Sequence, residues 1–161
     1  MASEIFARIG DIKGESNDAK HKDEIEVLSF AWGVAHAGAT GLGPGSAAGK
    51  PTFQDLSFVH RIDKASPLLM KSCATGTHIK EATISHRKAG SGQQDFMIVK
   101  LSDVTVTSVS QSAASNQLET GSEAVSLAFG KVDFEYKAQK PDGSFEGSTQ
   151  FTFDLKTNRT F

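Results

Sequence analysis

The stretch Glu24–Val34, EIEVLSFAWGV, alternates between bulky apolar side chains and smaller ones. Successive side chains of a β-strand point to opposite faces, so this period of two predicts a strand with one face in the core. We expect the other face, which carries Ser29 and Ala31, to be turned toward water or another subunit. The bulky face holds Leu28, Phe30, Trp32 and Val34, and the opposite face holds Val27, Ser29 and Ala31.

The same alternation recurs along most of the chain and predicts about eight strands. Ser122–Lys140 is predicted as one long strand in which Gly130 marks a bulge or bend. The Asp142-Gly143 pair that follows is a hairpin signal. We therefore predict a single mainly β domain over residues 1–161. Its architecture would be an antiparallel β-barrel or two packed sheets, with one short flanking helix and a long extended loop.

One segment has the signals of a helix. Ser66 is a suitable N-cap, Pro67 suits the first helical position, and Gly76 is a typical C-terminal stop. Such a short helix must pack on the sheet to be stable. Its predicted apolar stripe consists of Leu68, Leu69, Met70 and Cys73.

Composition excludes several classes of protein. The chain has 161 residues, of which 38% are apolar and 22% charged, with a net charge of -2. This balance argues against a nucleic-acid partner, which usually requires a basic surface. No apolar run is long enough for a transmembrane helix, and the N-terminal stretch lacks the apolar core of an ordinary signal peptide. A single cysteine, Cys73, excludes an internal disulfide and fits folding in a reducing compartment.

The segment Gly38–Thr52, GATGLGPGSAAGKPT, holds five of the 15 glycines and two of the four prolines. Its Gly49-Lys50 pair resembles the end of a phosphate-binding loop. However, Pro44 stands where the first glycine of that motif belongs, and Pro51 replaces its hydroxyl residue. No helix signal follows, so neither this motif nor a dinucleotide fingerprint is supported. We interpret the segment as a long connection with a function of its own.

The chain shows no recognisable catalytic constellation. Among its five histidines, only His60, His78 and His86 fall in or next to strand-like segments, and no companion carboxylate stands at a fixed offset, so a metal site is unsupported. Cys73 is interpreted as a buried, inert thiol, and no G-x-S-x-G elbow occurs. We therefore expect no enzyme activity, no cofactor and no metal.

Six segments, in order along almost the whole chain, resemble the Hcp family, the tube protein of the bacterial type VI secretion system. They are GDIKGES (Gly10–Ser16), EIEVLSFAWG (Glu24–Gly33), QDLSFVHRIDKASPLLMKSCATGTH (Gln54–His78), ATISHRKAG (Ala82–Gly90), VSLAFGKVDFEY (Val125–Tyr136) and QKPDGS (Gln139–Ser144). Two regions depart from the family pattern: the Gly38–Gly49 loop, interrupted by Pro44, Ala47 and Ala48, and the stretch Gly143–Phe161.

The resemblance implies a structural protein of Gram-negative bacteria that forms hexameric rings. The rings would stack into a tube that is surrounded by contractile sheath proteins and capped by a VgrG-type spike protein. The tube would also carry and protect small secreted effectors. It implies assembly in the cytoplasm, followed by export to the extracellular space or a target cell without a signal peptide.

The resemblance also implies two candidate sites. The long loop would contact a neighbouring subunit, and Ser29 and Ala31 would face the lumen and its effector. The loop residues expected at the ring interface are Gly41, Leu42, Gly43, Pro44, Gly45, Ser46 and Lys50. Two other interpretations remain open on the residues alone: a β-sandwich module that binds a sugar or peptide, and, less supported, an enzyme.

Overall fold

The computed structural model describes residues 3–37, 49–88, 94–116 and 120–161. Within these ranges it contains ten strands and one helix. In chain order they are β1 (Ser3–Ile9), β2 (Ile25–Ala31), β3 (Val34–Ala35), β4 (Thr52–Phe53), β5 (Leu56–Arg61), α1 (Ser66–Thr75), β6 (Ile79–Lys88), β7 (Asp95–Ser112), β8 (Ser122–Ala128), β9 (Lys131–Gln139) and β10 (Phe145–Asp154).

Six antiparallel strands close into a barrel, which confirms the predicted fold class. The strands pair in the order β7, β6, β1, β2, β5 and β8, and β8 pairs again with β7 to close the ring. Closure depends on the 18-residue length of β7, since its first part pairs with β6 and its second part with β8. Strands β9 and β10 extend the sheet beyond β7, and β3 with β4 forms a separate two-stranded ribbon.

The stretch Ser122–Lys140 forms two strands rather than the single long strand predicted. Strand β8 pairs with the second part of β7, and β9 pairs with the first part, so the chain must bend between them. The bend lies at Phe129–Gly130, where the Gly130 N–H donates to the Ser102 carbonyl at 2.9 Å. A Cβ on Gly130 would lie 3.1 Å from the Cβ of Asp103, so a side chain there would crowd its neighbour.

The prediction of one continuous bulky face over Glu24–Val34 is wrong at two positions, one in β2 and one in β3. Ile25 and Val27 are buried, whereas Leu28 and Val34 are 47% and 52% exposed. The pairing of β2 with β5 shifts between Val27 and Ser29, and this bulge changes which residues face the core. Beyond the shift, Phe30 packs against the core as expected.

The helix matches its predicted span and lies on β7. Its N-cap is Ala65 rather than Ser66, whose hydroxyl instead accepts a hydrogen bond from the Asp63 N–H. Gly76 ends the helix in the left-handed conformation, with the Gly76 and Thr77 N–H groups bound to carbonyls of the last turn. Of the predicted stripe, Leu69 is buried and Cys73 half-buried, but Leu68 and Met70 are exposed because successive helical residues cannot share one face.

Candidate functional site

Two adjacent rows of small side chains cross the outer face of the barrel. They run over β2, β5, β8 and the second part of β7, and the residues between them, such as Phe58 and Val125, are fully buried in the core. Ser29 and Ala31 are exposed and lie on this face, as predicted for a surface outside the core. One row is Ala31, Ser57, Ser126 and Ser108, and the other is Ser29, Val59, Ala124 and Ser110.

This small-residue face carries no ionisable side chain in its two rows. The hydroxyls of Ser57 and Ser126 are 2.9 Å apart and satisfy each other across the strands. Charged residues stand at the ends of the strands, Asp55 before β5 and Arg61 at its end. The two rows therefore present small side chains and no charge. Ser57, Ser108, Ser110, Ala124 and Ser126 were not predicted as part of it, because only strand pairing shows that they join Ser29 and Ala31.

A short antiparallel stem lies at the base of the glycine-rich segment. In the stem, Val34 is opposite Phe53 and Ala35 is opposite Thr52. The Gln54 N–H donates to the Gly33 carbonyl at 2.9 Å, and His36 Nε2 lies 2.7 Å from the Gly49 carbonyl oxygen. The segment thus leaves and rejoins the barrel at one place. Of the predicted interface residues, Lys50 is exposed beside the stem, and Gly41, Leu42, Gly43, Pro44, Gly45 and Ser46 lie outside the described residues.

Aromatic rings pack against the stem on the side of each of its strands, β3 and β4. Phe53 packs against Phe129, Phe151 and Phe153, with ring centroids 6.0, 6.5 and 5.3 Å away. Trp32, which precedes the stem, packs edge-on against Phe134 at 5.7 Å. We call Phe129, Phe151 and Phe153 the aromatic seat.

A buried ionic cluster fixes the loop between β1 and β2. Arg87 is 1% exposed, and its guanidinium donates two hydrogen bonds to the Asp18 carboxylate and one to Glu4 Oε2, the last at 2.7 Å. The hydrogen bond from Arg87 holds the pKa of Asp18 at about 2. The rings of Phe6 and His21 stack at 4.4 Å beside it. The cluster therefore ties this loop to β1 through Glu4 and to β6 through Arg87.

The histidines considered as metal ligands have different partners. His60 pairs with Glu123, His78 pairs with Asp103, and the ring of His86 lies beside Phe30 and Phe96. Across the described ranges, no group of three His, Cys, Asp or Glu side chains is arranged to hold a metal ion. No described helix has the length and apolar character needed to cross a membrane.

A cavity of about 630 Å³ lies between the end of β1, the end of α1 and the start of β6. Ser72 and His78 both line it, and they are the residue types of a nucleophile and a base. His78 Nε2 is instead 3.1 Å from Asp103 Oδ1. Charges of both signs, Arg8, Lys80 and Glu81 among them, surround the opening. Among the described residues, no hydrogen bond joins Ser72 to His78, so the structure does not pair these two side chains as nucleophile and base.

Proteins of one known family are similar to this chain along nearly its whole length. A family model described as "Type VI secretion system effector, Hcp" matches residues 6–136. The protein hcp1 of Pseudomonas aeruginosa is 39% identical over 160 residues, which are 98% of each chain. The crystal structure of Hcp1 from Salmonella typhimurium is 36% identical, with a TM-score of 0.82 and full coverage of both chains. A solved type six secretion system protein is 27% identical, with a TM-score of 0.91 over 99% of this chain and 100% of the other.

Proposed function

The chain belongs to the Hcp family of type VI secretion tube proteins, and from this premise we propose that six copies form a ring and that rings stack into the expelled tube. Its role is then mechanical and associative. Heterologous contacts that repeat around a sixfold axis close into a ring. The tube would form in the cytoplasm and leave the cell through the secretion apparatus.

The small-residue face is the observation that carries this proposal. A fold that needed this surface for its own core would place large apolar side chains there. Instead, eight positions over four strands hold Ser, Ala and one Val, Val59, with no charge. Such a surface can line a passage because it neither blocks the space nor binds cargo through fixed charges. We place Ser29 and Ala31 at this lumen, where they would touch small effectors.

The glycine-rich residues 38–48, which we call the arm, supply the second contact surface. Glycines allow backbone angles closed to other residues, and Pro44 and Pro51 reduce the conformational entropy lost on docking. The stem brings the two ends of the arm together, and exposed Lys50 would add a charge near the interface. We propose that Gly41–Ser46 dock on the neighbouring subunit. A VgrG-type spike and contractile sheath proteins would be the other partners of the assembled tube.

Measuring size in solution tests the ring. Six chains of 17.1 kDa should give a particle of about 100 kDa by analytical ultracentrifugation, with rings visible in negative-stain images. A monomer that persists at high concentration would overturn the ring and favour the sugar- or peptide-binding module.

Deleting Leu42–Ala48 tests the arm. We expect the monomer to keep its circular dichroism spectrum and melting temperature while ring or tube assembly weakens. Unchanged assembly and secretion would show that the segment is only a connector.

Ala31→Arg tests the lumen. The substitution should lower the amount of small effectors that co-purify with tagged rings, because a long charged side chain enters the passage. Ala74→Arg, on the exposed side of α1, is the matched control. Full effector retention by rings carrying Ala31→Arg would contradict this placement.

A further inference from the structure

The stem of the arm is too small to hold its own position. It has two residue pairs, and an isolated hairpin of this size is not stable in water. Its position must therefore come from what it packs against. The second strand of the stem, β4, ends in Phe53, whose ring lies against Phe129, Phe151 and Phe153.

The aromatic seat is built from two parts of the chain that are tied together. Phe129 lies at the bend between β8 and β9, and Phe151 and Phe153 lie near the end of β10. The rings of Phe151 and Phe153 stack on each other at 6.3 Å. The Leu155 N–H donates to the Gly130 carbonyl at 2.8 Å and fixes the end of β10 to that bend. The seat is thus one unit supplied mainly by the C-terminal strand.

The first strand of the stem, β3, is anchored on the β9–β10 hairpin. Trp32 lies immediately before Gly33, whose carbonyl accepts the hydrogen bond that closes the stem. Its ring packs on Phe134 of β9, and Phe134 is paired with Phe151 across the hairpin. Phe53 therefore rests on the β8–β9 bend and on β10, and Trp32 rests on β9. Of these elements, β10 lies beyond residues 6–136, the stretch that the family model matches.

We propose that the β9–β10 hairpin is the positioning element of the arm, and that Phe151 and Phe153 set the direction in which the arm leaves toward a second copy of this chain. This inference rests on the proposed docking of the arm. A fixed stem lowers the entropy lost when the arm docks, so the seat strengthens assembly through the arm. Phe151 and Phe153 are thus positioning residues for the arm.

Phe153→Ala tests the seat, with Phe145→Ala as the matched control. Phe145 lies on the same strand and is also half-buried, but in the described part of the chain its ring has no contact with Phe53. We expect Phe153→Ala to speed hydrogen exchange of the Gln54 amide about tenfold through local opening of the stem. It should also raise the dissociation constant of the ring about tenfold, while circular dichroism remains native. Phe153→Leu should restore part of the slow Gln54 exchange and part of the ring affinity.

Two readouts separate this inference from the proposed function. Equal Gln54 exchange in Phe153→Ala and Phe145→Ala would overturn the seat whether or not rings form. Faster exchange with unchanged assembly would overturn positioning. If the wild-type chain forms no ring, the proposed function and the positioning role both fail, and Gln54 exchange still decides whether the hairpin holds the stem.

Discussion

His60 and Glu123 form a pair that lies entirely inside the barrel. Nε2 of His60 is 2.8 Å from Oε1 of Glu123, and neither side chain is exposed. Gln111 donates to the other carboxylate oxygen at 2.6 Å, and Asp63 Oδ2 lies 3.7 Å from His60 Nδ1. Burial alone lowers the pKa of His60, but Asp63 and Glu123 outweigh it, and the pKa is raised above 6.5. The pair joins β5 to β8, and Gln111 connects it to β7 across the pairing that closes the barrel.

The free energy of unfolding should depend on the protonation of His60. Because its pKa is higher in the folded state, the pair stabilises fully below the unfolded value of 6.5, and this contribution is lost as pH rises through the folded pKa. The free energy of unfolding, measured with urea, should therefore be higher for wild type than for His60→Gln, and the difference should be larger at pH 6 than at pH 8.5. His78→Gln, which removes a largely exposed imidazole, controls for loss of a histidine. A gap of equal size at both pH values would show that protonation of His60 does not matter.

Glu123→Ala should be among the most damaging substitutions in the barrel. It leaves both His60 and the Gln111 amide without their carboxylate partner in a buried site. Removal of one member of a buried pair costs about 3–5 kcal/mol. Urea unfolding measures this loss, and Glu123→Gln, which keeps the shape and one acceptor oxygen, should lose less. Equal losses in the two variants would point to packing rather than to the polar network.

Arg87→Lys should destabilise the fold although it keeps the charge. The planar guanidinium bonds both oxygens of Asp18 and also reaches Glu4, which a single ammonium cannot reproduce. We expect the free energy of unfolding to fall by about 2 kcal/mol, since each hydrogen bond to a charged group contributes roughly 1.5–3 kcal/mol.

The same substitution should change the response to acid. The pKa of Asp18 falls from 3.8 to about 2 in the fold, so its stabilisation is present above pH 3.8 and lost as pH falls toward 2. Acid unfolding of Arg87→Lys should begin at higher pH than that of wild type; an unchanged acid midpoint would contradict the role given to Asp18.

Gly14→Ala should disrupt the loop that Arg87 holds. A Cβ at Gly14 would meet the Glu24 carbonyl group and lie 2.7 Å from the Ile25 Cα, and these are backbone atoms that cannot turn aside. Overpacking of this kind costs about 1–3 kcal/mol. Gly147→Ala, where a Cβ would meet nothing within 4 Å, is the matched control. Melting temperatures of the two variants give the comparison, and similar values would mean that the loop moves to accept the methyl group.

Alternation along each strand predicted the class of fold because it follows from local geometry. It placed Phe30 and Trp32 against the core, and it placed Ser29 and Ala31 on an outer face. It failed at Leu28 because the bulge there depends on the register with β5, and register is a property of two strands. The sequence correctly predicted the bend at Gly130, but not that Ser122–Lys140 divides there into two strands, because β8 and β9 separate only when both pair with β7.

The polar interior could not be predicted from spacing. Arg87 has the sequence signature of an exposed strand residue, yet its partner Asp18 lies 69 positions away and covers it. His60 and Glu123 are 63 positions apart. The aromatic seat likewise joins Phe53 to the C-terminal strand, where the resemblance to the family is weakest.

His86 should respond to pH in the direction opposite to His60. Its ring lies 4.6 Å from that of Phe96 and edge-on to that of Phe30 at 6.3 Å, and its buried Nε2 has no hydrogen-bond partner among the described residues. Burial lowers the pKa of His86 below 6.5. The unfolded chain therefore binds a proton more readily, and stability is lost as pH falls below 6.5.

His86→Phe removes both the unpaired nitrogen and this proton uptake. Replacing an unsatisfied polar group by an apolar one of similar shape is neutral or stabilising. We expect the melting temperature to rise by about 2–4 °C at pH 5, and by less at pH 8, where the wild-type ring is already neutral. His78→Phe, at a largely exposed site, provides the control. A gain of the same size at both pH values would attribute the effect to packing against Phe96, and a loss at pH 5 would mean that protonated His86 is accommodated in the fold.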